Sequence, residues 1–229
     1  MIDIIVAVKN AERYLATALE SISAQTFPDY RIVVVDGGST DNTLTIARRF
    51  PKVACVQQSG RGYLNAWNSG IAAGTSAFVA FLDSDDRWPP DKLAAQLDVF
   101  HQNPDLDAVF GRVQFFREPG DGRPVGFRPE ILKNSHGVPF NGSMLVRRTA
   151  CTRLGPFDER LSIAGDIEWV LRLRDSCRVG WVNRVLLFKR LHGGNLGEQA
   201  GKDRWQSDLL TLARRRIAAA RGKSAAQRV

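Results

Sequence analysis

Three carboxylates, Asp83, Asp85 and Asp86, stand together at the end of an apolar run, Phe78-Val79-Ala80-Phe81-Leu82. Like charges this close repel one another unless a cation sits among them. Five consecutive apolar residues read as a buried strand, so the acids mark the point where a strand gives way to a loop. Mg²⁺ or Mn²⁺ takes oxygen ligands and commonly shares its shell with substrate phosphates. The pattern therefore points to a divalent ion gripping a phosphorylated substrate at a strand's carboxyl end, where open α/β sheets bind their ligands. The same acids also suit a cap for the helix that begins near Pro90. A further acid, Asp166, follows Gly165, a glycine read as flexible, and opens a helix carrying Trp169, Val170 and Leu173. A carboxylate there suits proton removal from a hydroxyl, or a simple favourable contact with the helix N-terminus. His192 suits a metal ligand, a phosphate donor or a packed ring at a strand end.

The elements that must position these groups alternate in type. Ile2 to Val8 is an apolar run broken once by Asp3, and Leu15, Leu19 and Ile22 follow Asn10 at helical spacing. Arg31 to Val35 reads as a second strand, and Asp36-Gly37-Gly38-Ser39-Thr40-Asp41 turns from it into a helix with Leu44, Ile46 and Ala47. Glycine there permits a positive φ, and Ser39 to Asp41 supply capping oxygens. Val53 to Val56, then Gly60-Arg61-Gly62 and a helix holding Leu64, Trp67, Asn68 and Ile71, lead into the acidic strand. Strand and helix alternating as far as Asn103 predict a mostly parallel, doubly wound sheet with Asp36 and Asp83 at strand ends.

Beyond Asn103 the rhythm changes. Ala108 to Phe116 reads as a strand, Glu118 to Pro124 as a hairpin loop rich in Gly and Pro, Met144 to Val146 as a short strand, and Val179 to Leu191 as one or two late strands. No Gly/Ser linker separates a second domain. The expected division is residues 1–103, 104–200 as an extension of the same sheet, and 201–229 as a basic helix and tail. His136, Asn141, Arg147 and Arg148 are expected near the acceptor half.

With 229 residues, 44% of them hydrophobic and 24% charged, the chain is an ordinary globular protein. It holds no bilayer-length apolar run and no signal-peptide pattern, which predicts a cytoplasmic location. Cys55, Cys151 and Cys177 are odd in number and lack CxxC spacing, so buried thiols are expected rather than disulfides or zinc. The formal charge of +8 is concentrated after Asp208, in Arg214, Arg215, Arg216, Arg221, Lys223 and Arg228, leaving 8 − 6 = +2 for everything before. A polybasic helix of this kind suits an anionic surface such as the inner face of a cell membrane, or a frayed solvated end. Without interleaved aromatics it does not suit nucleic acid.

Taken in order, Val8-Lys9-Asn10, Val35-Asp36-Gly37-Gly38-Ser39-Thr40-Asp41, Asn65-Ala66-Trp67-Asn68-Ser69-Gly70, Leu82-Asp83-Ser84-Asp85-Asp86, Gly165-Asp166 and Arg190-Leu191-His192 resemble the motifs of a family 2 glycosyltransferase. The resemblance implies a single glycosyltransferase A domain, α/β and Rossmann-like with a mostly parallel sheet, an acceptor-side extension and a C-terminal helix. It implies an inverting transfer of one sugar from a nucleotide sugar, with UDP the commonest nucleotide, to a hydroxyl of a glycan, a lipid-linked or another acceptor, as in polysaccharide biosynthesis. Carried over by position, it places the nucleotide sugar against Ala7, Val8, Glu12, Asp36, Arg61, Asn68, Asp83 and Ser84. It places Mn²⁺ or Mg²⁺ on Asp85, Asp83 and His192, and makes Asp166 the base, with Glu168 as a substitute or acceptor contact. Ala7 and Lys9 stand where the family often has Pro and Tyr, and Gly165 where it often has Glu. A sugar-phosphate nucleotidyltransferase would need a Gly-rich, Arg-containing loop after the first strand, where this chain has Lys9-Asn10-Ala11-Glu12-Arg13. A non-catalytic nucleotide-sugar-binding protein of the same fold is the other alternative, separated by assay for transfer.

Overall fold

The computed structural model describes residues 1–124, 127–161, 164–194, 204 and 206–214. Five of the six tail cations therefore lie outside the described residues. Seven strands form one sheet: β1 (Ile2–Val8), β2 (Tyr30–Asp36), β3 (Val53–Gln57), β4 (Phe78–Asp83), β5 (Ala108–Phe116), β6 (Leu145–Arg147) and β7 (Val179–Arg190). Their order is β3-β2-β1-β4-β6-β5-β7. β1, β2, β3 and β4 run parallel, β6 is antiparallel to both β4 and β5, and β7 is parallel to β5. The later half thus extends the first sheet, as its lack of a linker predicts.

Alternation along β1 sorts the core into two layers. Ile2, Ile4, Val6 and Val8 face a layer formed with α1 (Leu15–Ser23), α2 (Thr43–Ala47) and α4 (Lys92–Gln102). Ile5 faces the opposite layer, built by α3 (Gly62–Ala73), α5 (Arg148–Leu154) and α6 (Gly165–Ser176). Asp3, the one break in the first apolar run, also faces that second layer and is fully buried. It accepts bonds from Arg31, Arg148 and both the N–H and hydroxyl of Ser76. Burial alone would raise its pKa, but these donors carry it below the ordinary value.

Several expectations are corrected here. Arg148 grips Asp3 at the amino end of β1, and Arg147 is level with Phe78 at the start of β4, so both lie at the end of the sheet opposite the acids. Glu118 to Pro124 does not turn one strand directly into the next, because β6 begins only at Leu145. Its Asp121 instead binds Arg190, and also accepts from the hydroxyl of Tyr14. α5 went unread because its seven residues follow β6 without a turn signal. Cys151 is buried, but Cys177 is only partly so and Cys55 is exposed on the edge strand β3, where no further strand among the described residues covers it. Among the described residues no helix is long and apolar enough to cross a membrane.

Gly165 is not a flexible point. It lies in the first turn of α6, buried, and a Cβ placed on it would stand 2.3 Å from Cδ1 of Leu64, itself in the core. Glycine is there because α6 approaches α3 too closely for any side chain. Gly165→Ala should therefore cost about 1–3 kcal/mol by overpacking, read as a fall in Tm, while shifting the adjacent Asp166. An unchanged Tm would show that the helices can part freely.

Candidate active site

Strand register brings the first group of predicted residues together. Val8 is level with Asp36, and Ala7 is level with Asp83, so the carboxyl ends of β2, β1 and β4 form one rim. Asp36 is buried, its carboxylate accepting from the backbone N–H groups of Gly38 (3.1 Å) and Ser39 (3.1 Å). Gly38 has φ +81°, the left-handed conformation its turn requires. Asn10, at φ +51°, accepts from the N–H of Thr40, and the Ser39 hydroxyl accepts from the N–H of Asn10, locking the two loops. Glu12 is exposed at the edge of this rim, accepting from Asn42.

After β4 a turn closed by the Asp86 N–H on the Asp83 carbonyl (3.1 Å) gathers the acids. One carboxylate oxygen from each of Asp83, Asp85 and Asp86 lies within 4.8 Å of the others. Ser84 is half-buried between them. A bridge between Arg87 and Phe188 clamps the end of β7 to this turn. The clamp brings in Lys189, whose ammonium donates to Asp83 and Asp86, each at 3.1 Å. It also brings in Arg190, whose N–H donates to Asp86 (2.9 Å) and whose guanidinium donates to Glu118 and Asp121. His192 completes the group: Nε2 pairs with Asp85 at 2.9 Å, and Nδ1 accepts from the N–H of Gly194. With Nδ1 accepting, Nε2 carries the proton given to Asp85, so His192 orients that carboxylate and would ligate an ion only after releasing the proton.

The charges follow this geometry. Burial raises Asp85, yet the His192 bond and the Lys189 charge outweigh it and hold the carboxyl below its ordinary range. For Lys189 burial disfavours the ammonium, but Asp86, Asp83 and Asp85 overcome it and keep the group charged. Oxygen ligands clustered around one point fit Mg²⁺ or Mn²⁺, and the orienting His192 matches the support that metal ligands usually receive.

Asp166, in the first turn of α6, lies within electrostatic reach of the same cluster. Burial pushes its carboxyl up to about 6, with the charge of Asp83 adding to the rise and that of Lys189 opposing it. Tyr63 on α3 lies near enough for the Asp166 charge to add to the burial that raises its hydroxyl. Glu168 instead pairs with Arg172 (2.8 Å), a turn further along α6. The remaining two predicted residues sit on α3. Arg61 is exposed at its N-cap. The amide of Asn68 is fully engaged with the backbone of Phe157 and with Glu159, tying α3 to the 156–160 loop.

The residues that sequence reading missed are Lys189 and Tyr63. A lysine directly after Leu186-Leu187-Phe188 was the available signal, because a charge in a buried strand requires a counter-charge.

The family model for glycosyl transferase family 2 matches residues 3–160, spanning every strand end described above except β7. The chain belongs to that family. Among family 2 relatives, a Nostoc protein described as an uncharacterized glycosyltransferase is 41% identical, the match covering 85% of this chain and 66% of that one. A PGL/p-HBAD biosynthesis glycosyltransferase of Mycobacterium tuberculosis is 34% identical, over 75% and 69%. This chain therefore spans about two thirds of the length of these curated relatives. Staphylococcus aureus TarS in complex with UDP-GlcNAc superposes with TM-score 0.69 at 23% identity, over 85% of this chain and 59% of that one. The Pyrobaculum calidifontis mannosyltransferase PcManGT, in complex with GDP-Man and Mn²⁺, gives 0.67 at 22%, over 95% and 64%. At such identities the likeness establishes the glycosyltransferase A fold.

Proposed function

We propose that this chain is an inverting glycosyltransferase that moves one sugar from a nucleoside-diphosphate sugar, a UDP-sugar first, to an acceptor hydroxyl with Mn²⁺ or Mg²⁺. The feature that supports the reading is the electrostatic reach between Asp166 and the Asp83–Asp86 cluster. An acid with its pKa raised to about 6 senses the charges of Asp83 and Lys189, although it comes from a different layer of the fold. A general base poised near the working pH, beside a cluster suited to a metal and a diphosphate, is what glycosyl transfer to a hydroxyl requires. Support for the donor class comes from the two superposed structures, in complex with UDP-GlcNAc and with GDP-Man and Mn²⁺.

Asp83 and Asp85 would hold the ion, with Asp86 adjacent and His192 orienting Asp85. When bound, the ion neutralises charge on the diphosphate. Asp36, Val8 and Ala7 form the rim for the nucleoside, with Glu12 and Arg61 at its edges. Asp166 accepts the proton of the acceptor hydroxyl as that oxygen bonds to the anomeric carbon. The bond from that carbon to the diphosphate oxygen breaks, and its electron pair leaves with the nucleoside diphosphate. Attack from the face opposite the leaving group inverts the anomeric centre.

The test is thermal unfolding with UDP, GDP or dTDP, each with Mn²⁺ or EDTA. A ligand at about 100 times its Kd should stabilise the fold by roughly 2.7 kcal/mol, so one nucleotide should raise Tm more with Mn²⁺ than without. No shift with any of the three would remove the donor site.

A further inference from the structure

Lys189 bears on how that donor site manages charge, and the inference rests on the donor reading given above. Its ammonium sits between two members of the acidic cluster, 3.1 Å from both Asp83 and Asp86, with the ring of Phe140 5.8 Å away. An ammonium has three protons to donate. Two are used here, and among the described residues the third has no acceptor. The side chain is 20% exposed, so part of Lys189 borders solvent beside the cluster. Asp166 also senses the Lys189 charge. The ammonium therefore lies within electrostatic reach of both the acid cluster and the proposed base.

The neighbouring cation has a different task. Arg190 is almost wholly buried and directs its guanidinium to Glu118 and Asp121, so it fastens loops together. His192 is engaged with Asp85 and Gly194. Lys189 alone among these three side chains combines contact with the cluster and an unused donor.

We propose that Lys189 is a resident cation of the donor site. In the empty protein it balances Asp83 and Asp86, which would otherwise face a divalent ion with no cation of the protein's own between them. With donor present, its third donor faces the diphosphate and remains beside the negative charge that the departing nucleoside diphosphate gains. The lysine and the ion thus share one cluster, with the ion drawn toward Asp85 and the lysine holding the Asp86 side. Two consequences separate this role from that of a structural counter-ion. Loss of the charge weakens nucleotide binding even in EDTA, and it strengthens binding of the ion alone because a competing cation has gone. A lysine that only stabilised the fold would lower Tm and change neither affinity.

The experiment uses the full chain with Lys189→Met and Lys189→Arg. UDP and GDP binding is measured by calorimetry in EDTA and in saturating Mn²⁺, and Mn²⁺ alone by the loss of its free-ion electron paramagnetic resonance signal. One charge-assisted contact corresponds to about 10- to 100-fold in affinity. Lys189→Met should lose that much nucleotide affinity in EDTA and bind Mn²⁺ alone more tightly, while Lys189→Arg stays close to the parent. If the parent binds nucleotide only with Mn²⁺, the same comparison is made there. Should the Met variant fail to fold, Lys189→Gln removes the charge and keeps a donor amide. Nucleotide affinity within about twofold of the parent in the uncharged variant overturns the role of Lys189 and leaves the donor site standing. A parent chain that binds neither nucleotide under either condition overturns the donor site itself.

Discussion

Asp166→Asn will bind the nucleoside diphosphate as the parent does and transfer sugar about 10²- to 10⁴-fold more slowly, the range expected for loss of a general base. The amide keeps the size of the carboxyl and the place beside Tyr63, so the donor rim on β1, β2 and β4 is untouched. The pH dependence separates this from simple damage. The carboxyl of Asp166 is raised from an ordinary 3.8 to about 6, chiefly by burial and then by Asp83. As a base it works only when ionised, so kcat/KM of the parent should rise with pH up to about 6 and then level. A bound divalent ion moves that midpoint lower by favouring the carboxylate. In the Asn variant this limb should vanish.

Stability should respond with the opposite sense. Because the folded state binds the Asp166 proton more tightly than the unfolded chain, stability conferred by this group is full below pH 3.8 and is lost as pH rises through about 6. The penalty at pH 8 is about 3 kcal/mol at most, since each pKa unit is worth about 1.4 kcal/mol. Asp166→Asn should therefore melt higher than the parent at pH 8, and the difference should shrink toward pH 4. A variant that melts no higher, or that transfers at the parental rate, moves the base to another residue.

The parallel half of the sheet was legible because its signals are local. Apolar runs of strand length, separated by glycine-rich turns and helical spacing, gave β1 to β4 nearly to the residue, and the acids after β4 are neighbours in sequence. The placement of Asp166 was legible through its motif, while the reason for it was not. A buried Gly165 under Leu64 looks the same in sequence as a flexible one, and only the packing of α6 on α3 distinguishes them. The hairpin expected at Glu118 to Pro124 failed for a related reason. Gly and Pro announce a turn without saying what the chain meets afterwards, and here it meets Arg190, about seventy residues away in sequence. Lys189 escaped for the same cause, since its meaning lies in the bridge between Arg87 and Phe188, a contact between distant segments.

The charge distribution around that bridge decides what removing Asp85 should do. Lys189 engages Asp83 and Asp86, whereas Asp85 has His192 as its partner and its carboxyl stays ionised at neutral pH. Asp85 is thus a carboxylate kept ionised and oriented by His192 for a divalent ion, and Asp85→Ala should remove the advantage that Mn²⁺ gives nucleotide binding. In that variant, affinity for UDP or GDP measured with Mn²⁺ should fall to the value measured in EDTA. His192→Gln supplies the internal scale. If the imidazole only orients Asp85, its loss should weaken Mn²⁺ binding by about 10- to 100-fold, less than the loss caused by Asp85→Ala. Equal losses would mean that His192 gives up its proton and ligates the ion directly. Because His192 and Lys189 hold the Asp85 carboxylate below its ordinary range, Asp85→Ala gives up that stabilisation, and the metal-free variant should melt somewhat lower than the parent at neutral pH yet still unfold cooperatively above the temperature of the binding assay. That outcome would separate a defect in the site from a defect in the fold. A parent protein whose nucleotide affinity is the same with Mn²⁺ as with EDTA would show that the three acids serve Lys189, Arg190 and His192 rather than an ion, and that the metal assignment is wrong.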